Sequence, residues 1–409
     1  MSFAKVKKMI LGTLLTAGVA GVLSGCSDGN INININYPEA FEETVSESEA
    51  DIAGMEEQNG ETISENGKES PVKESSSEEE AAVKVTGEVV DNGLFQMTVS
   101  RDYEGSYKIE TSDDMIAVYD KEAMEADFGG YVFSVKACKY PGDYAGGIGK
   151  KVGEIKKDEE VLYDIVMEFA SDVQYDYITY SDEAPESYMR LYEGAEDMVK
   201  TLKPVSEGEF IWGSGCLGDG MYTDIIDKHI TAIKEKWDAS RLEQEGMSTE
   251  YNVIDIATGG EAMKSVGYAY LDINLDGVEE LLIGEIAEGN LKGVVYDIYT
   301  IVDRKPAHVV TGWSRNRYYA LENGMICNEG SGGAALTEWQ IIDIVPNSVE
   351  MIPQYSIKYD GYENEKNPWF ICYGDDEWES ITEEEAKDFL SRGVYLRLDF
   401  IPFSEIAEK

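Results

Sequence analysis

One stretch of the chain carries oxygen-bearing side chains in step: Asp272-Ile273-Asn274-Leu275-Asp276-Gly277-Val278-Glu279-Glu280. The oxygens fall at the first, third, fifth and ninth places, with glycine at the sixth. In a tightly turning loop alternate residues point inward, glycine permits the sharp bend, and the next carbonyl can join the ring. Asp272, Asn274, Asp276, Glu280 and the Val278 carbonyl therefore form a hard, anionic donor set suited to Ca²⁺. The plainer alternative is a polar Asx-type turn joining two strands without a metal.

The stretch resembles the calcium loops of EF-hands and of short Asp-rich repeats in extracellular β-proteins. It departs from an EF-hand at the twelfth place, where Ile283 stands instead of a bidentate Glu. Strand-like rather than helical patterns flank it, and Glu280 is the acid left to close the ring. So incomplete a set predicts weak binding, about 10⁻⁴–10⁻³ M, as in extracellular modules. Its expected role is to staple a hairpin rather than to catalyse.

Other chemical signals are thin. The chain has two histidines, His229 and His308, neither in an H-E-x-x-H context, which excludes that zinc chemistry. His229 lies beside a helix's buried face and reads as a partly buried spectator. Gly147-Ile148-Gly149-Lys150-Lys151 lacks the Ser or Thr of a phosphate loop, and Tyr144 stands where its first Gly belongs, so it reads as an ordinary loop. No G-x-S-x-G surrounds a serine; Ser331, in Asn328-Glu329-Gly330-Ser331-Gly332-Gly333, is the nearest candidate nucleophile and reads as a flexible turn. Tyr318, Tyr319, Trp339, Trp369 and Trp378 can line a carbohydrate or peptide groove, although strand aromatics more often belong to the core.

The N-terminus addresses the chain. Lys5, Lys7 and Lys8 precede an apolar run over 9–23, a signal-peptide pattern too short to span a bilayer. The run ends in Leu23-Ser24-Gly25-Cys26, which resembles the lipobox of bacterial lipoproteins. That resemblance implies cleavage before Cys26 and lipid on its sulfur, so that the mature protein is anchored to a membrane's outer face without spanning it.

Composition narrows the partners. A formal net charge of −47 repels phosphate backbones and excludes nucleic acid as a partner, while favouring divalent cations and cationic wall components. Cys138, Cys216, Cys327 and Cys372 lack C-x-x-C spacing, so cysteine-bound zinc is not expected. Disulfides among them and buried thiols both remain open.

Residues 1–25 are expected to be the signal peptide, and 26–82, a Ser/Glu-rich segment, a disordered acidic tether. Within it Asn30-Ile31-Asn32-Ile33-Asn34-Ile35-Asn36 alternates with strand period. An α+β domain is expected over 83–204, with strands near 94–100, 115–119, 130–137 and 162–169 and a helix over 186–202. A Gly-rich linker, 205–220, precedes a second α+β domain, 221–409, which holds the calcium-type loop. That domain opens with a helix over 221–241, continues in mainly antiparallel strands, and ends with a helix capped by Thr382 and Glu385 and a strand over 394–400.

Phrases in both units are similar to uncharacterised lipoproteins of Gram-positive, Clostridia-type gut bacteria. They include Gly129-Gly130-Tyr131-Val132-Phe133-Ser134-Val135, Tyr270-Leu271-Asp272-Ile273-Asn274-Leu275-Asp276-Gly277 and Arg317-Tyr318-Tyr319. The resemblance implies a lipid-anchored surface protein and nothing about mechanism. Two functions follow as expectations: a non-enzymatic protein with structural calcium that binds an unknown surface or wall ligand, or a calcium-dependent hydrolase of wall or host polymers using carboxylates.

Overall fold

Alternation builds the first strands. Along Phe95–Ser100 every second residue, Phe95, Met97 and Val99, is buried, and the residues between them are half-buried. The computed structural model describes residues 86–141, 149–180, 184–374 and 377–406. The signal segment, Cys26 and the tether lie outside the described residues.

The first half lays down β1 (Gly87–Asp91), β2 (Phe95–Ser100), β3 (Tyr107–Ser112), β4 (Met115–Asp120), β5 (Tyr131–Cys138), β6 (Gly149–Lys157), β7 (Glu160–Phe169), β8 (Lys203–Pro204) and β9 (Glu209–Trp212). One sheet runs β3-β4-β5-β7-β6-β9, and β1-β2-β8 make a smaller one. Helices α1 (Lys121–Glu125), α2 (Glu186–Glu193) and α3 (Ala195–Val199) accompany them. Tyr188, Leu191, Met198 and Val199 bury against Phe133, Val135 and Ile165 in one core.

Two expectations change here. The helix over 186–202 is divided at Gly194, where a Cβ would overlap the Tyr103 hydroxyl, so a close approach selects a residue poorly suited to continue a helix. Gly149 to Lys151, read as loop, open strand β6 instead.

The second half begins with α4 (Thr223–Lys234), α5 (Ala239–Gln244), α6 (Glu250–Ala257) and α7 (Ala262–Ser265). The helix expected over 221–241 is therefore two. Lys236 turns left-handed at φ 52°, and the Asp238 carboxylate caps the new helix by accepting from Arg241 N–H at 2.9 Å. The strands are β10 (Val266–Leu271), β11 (Glu280–Glu285), β12 (Val295–Val302), β13 (Lys305–Thr311), β14 (Asn316–Ala320), β15 (Ile326–Gly333), β16 (Leu336–Ile344), β17 (Met351–Asp360), β18 (Trp369–Tyr373), β19 (Glu379–Ser380) and β20 (Ile401–Pro402).

They form one sheet in the order β19-β18-β17-β16-β15-β14-β12-β11-β10-β20, with β13 paired to β12. Helices α4 to α7 and α9 (Phe403–Ile406) supply the core on one face. Leu396, Leu398 and Phe400 join the core on the other. Between them, α8 (Glu383–Ser391) has the expected capping box on Thr382 and Glu385. Residues 394–400, expected as a strand, make only an isolated bridge from Tyr395 to Leu321, and the pairing strand is β20. The stretch passes so close to Gly293 that a Cβ there would lie 2.7 Å from the Leu396 carbonyl oxygen. Ser331 lies in β15, not in a flexible turn.

The chain is α+β, and every strand pairing among the described residues is antiparallel. The described residues fall in one compact unit, with a charged seam where β6 and β7 meet the second sheet's hairpins. Lys151 Nζ lies 2.8 Å from Glu154 Oε1 and 2.9 Å from Asp164 Oδ1, all three side chains almost fully buried. Arg304 reaches Asp164 Oδ2 at 2.9 Å from the β12–β13 turn. Asp303 and Arg304 both hold positive φ there, as a two-residue hairpin turn requires.

Candidate metal centre

The 272–280 loop joins β10 to β11, and Leu271 pairs with Glu280 across its mouth. Leu275 at φ 61° and Gly277 at φ 91° make the bend. Each acceptor side chain receives an amide of the loop: Gly277 N–H donates to Asp272 Oδ2 at 3.1 Å, Asp276 N–H to Asn274 Oδ1 at 3.1 Å, and Val278 N–H to Asp276 Oδ1 at 2.8 Å. Glu280 holds the base of the loop, accepting from Ile273 N–H at 2.8 Å and from the Thr300 hydroxyl at 2.9 Å.

Sequence spacing thus places Asp272, Asn274, Asp276, Val278 and Glu280 in a single loop, as the ring requires. Three of these five residues carry carboxylates, with Asp272 half-buried, Asp276 5% and Glu280 0% exposed. Burial is the main cause that lifts all three acids: Asp272 moves up, Asp276 rises to about 7, and Glu280 goes well above the carboxylate range. Asp272 also keeps one oxygen, Oδ1, buried without a hydrogen-bond partner. Hard, desolvated oxygens with an orphaned acceptor fit a hard cation. Among the described residues no three His, Cys, Asp or Glu side chains already stand as a metal cluster. Glu280, with both oxygens engaged, is the residue that must give up most to act as a ligand.

Lys151 N–H donates to the Asp276 carbonyl at 2.6 Å. Its ammonium is held by Glu154 and Asp164 on the far side of a small cavity that Asp276, Val278 and Arg304 help to line. The cavity has room for about one water.

No family model, curated protein or solved structure matches the chain.

A second polar group lies inside the second half and was not legible in the sequence. Asp297 of β12 is fully buried, hydrogen-bonded to the Tyr251 hydroxyl and, at 2.8 Å, to the Thr311 hydroxyl. Both histidines converge on it. His229 lies between the Tyr299 hydroxyl at 2.9 Å and the Tyr251 hydroxyl at 3.0 Å, and His308 Nε2 is 3.6 Å from Asp297 Oδ1. His229 is fully rather than partly buried, and burial drives its pKa down to about 4. The neighbours of His229 are internal and order the core, whereas His308 lies at the surface end of the group. The sign that might have marked it is a carboxylate amid the apolar residues of β12.

The aromatics considered for a groove are mainly core: Tyr318 is 7%, Tyr319 1% and Trp369 4% exposed, whereas Trp378 is on the surface. The four cysteines are buried. Cys216 and Cys327 hydrogen-bond to the Lys151 carbonyl and the Tyr395 hydroxyl at 3.6 and 3.3 Å.

Proposed function

We propose that this chain is an extracytoplasmic lipoprotein, lipid-anchored through Cys26 to the outer face of a Gram-positive cell membrane, which works by binding a surface or wall ligand and is stapled by calcium at 272–280. The observation that carries the calcium reading is the burial of Asp276 and Glu280 in one bend with the half-buried Asp272, one of whose oxygens is orphaned. An ion offsets that charge and draws the loop oxygens together. Binding is favoured over hydrolysis because these acids sit in a loop beside a cavity of about one water, with no room for a polymer.

The test is a thermal melt of the full chain in about 2 mM calcium and again in EDTA, beside Asp276→Asn. At the expected affinity calcium adds about 0.5–2 kcal/mol, a rise of a few degrees, in the native chain only. Superimposed native curves would reduce the loop to an Asx turn. The anchor is tested separately: labelled palmitate should enter the native chain and not Cys26→Ala, and equal labelling would overturn the lipoprotein reading.

A further inference from the structure

The loop's outer surface is bonded to two other segments. Besides the 2.6 Å bond from Lys151 N–H to the Asp276 carbonyl, a Cβ at Gly277 would overlap the Lys151 carbonyl oxygen, so the loop backbone lies directly on β6. Glu279, between two ring positions, donates its N–H to the Cys216 carbonyl at 2.8 Å. Its carboxylate accepts from Gly218 N–H at 2.8 Å, and its carbonyl accepts from the Tyr222 hydroxyl at 2.8 Å. The 213–219 segment is itself fastened to β6, by the Ser214 hydroxyl on Glu154 Oε2 at 2.7 Å and the Cys216 thiol on the Lys151 carbonyl at 3.6 Å. Loop, strand and glycine-rich segment therefore close a ring of contacts. Asp276 belongs to both sides of it, with its carboxylate in the loop and its carbonyl on the first sheet.

We infer that a cation in the 272–280 loop latches the first sheet to the second. The inference rests on the calcium reading above. Without an ion, Asp272 Oδ1 stays buried without a partner, and the shape of the loop rests on its internal amide bonds alone. With the ion in place, the loop keeps one shape, and every amide bonded to its outside is held with it. Calcium is then a regulator of how firmly β6 and the 213–219 segment are joined, not merely a local staple.

The experiment is amide hydrogen exchange on the full chain with calcium and with EDTA, alongside terbium luminescence to report the ion itself. At about ten times its Kd, calcium should slow exchange about tenfold wherever opening releases the ion. The expected result is that slowing at Lys151, within 149–155, and within 213–219, as well as inside the loop. Slowing confined to 272–280 would overturn the latch and leave the calcium site standing. Absence of terbium binding and of any slowing would overturn both. Glu279→Ala keeps the two backbone bonds and loses only the carboxylate that receives Gly218 N–H, so it should bind terbium like the native chain and lose the calcium-dependent slowing at Gly218. If it keeps that slowing, the coupling does not run through Glu279 and the latch fails as drawn.

Discussion

His229 is held where protonation is costly. Its folded pKa, about 4, lies below the ordinary 6.5, so between those values the unfolded chain binds the extra proton. Stability therefore falls as pH drops through that window, by about 3 kcal/mol for this residue at its lower end. Urea unfolding at pH 7 and at pH 4.5 measures it. His229→Gln should be less stable at pH 7 and lose less on acidification; an unchanged slope would show that His229 is not the group responsible. Single residues were legible where spacing carried their meaning. The five ring positions could be marked because alternation along one loop is a local property. Asp297, His308 and Glu279 could not, since their partners are distant in sequence and only the fold brings them together.

Gly277 and Gly220 separate two demands on a loop. Both have positive φ, +91° and +85°, but a Cβ meets the Lys151 backbone at Gly277 and nothing within 4 Å at Gly220. Gly220→Ala should cost about 1 kcal/mol from conformation alone, and Gly277→Ala more than about 2 kcal/mol because β6 cannot yield. Equal urea midpoints for the two variants would mean that the loop does not press on β6. Among the elements, strands with clean alternation such as β2 were readable, as was the capping box of α8. Helix lengths were not. Apolar periodicity runs on through Gly194 and Lys236, where tertiary approach and a left-handed residue break the helices. Residues 394–400 have strand-like composition and instead spend their apolar side chains covering the second sheet.

At the scale of the whole molecule, apolar cores are joined by one ionic seam that is almost fully buried. Lys151→Met leaves Glu154 and Asp164 buried without their shared ammonium and should cost about 3–5 kcal/mol. Lys157→Ala, at a pair half-exposed on both sides, should leave the urea midpoint unchanged. A smaller effect of Lys151→Met than of Lys157→Ala would show that the seam does not bear stability. Around this interior lies a chain of formal charge −47 whose self-repulsion salt screens. The melting temperature should thus rise from about 10 mM to about 0.3 M NaCl, and a fall would place surface ion pairs above net repulsion.

The same seam bears on the order in which the molecule is made. Asp164 precedes Arg304 by 140 residues, so in a chain delivered N-terminus first the strands of the first sheet arrive before the arginine that pairs with Asp164. An apolar seam would be adhesive throughout that interval, open to any passing chain. A seam of lysine and carboxylates stays wetted instead, and sheds its water only when the β12–β13 turn arrives. The groups that the finished protein buries would thus leave the half-made one without an adhesive face at this seam.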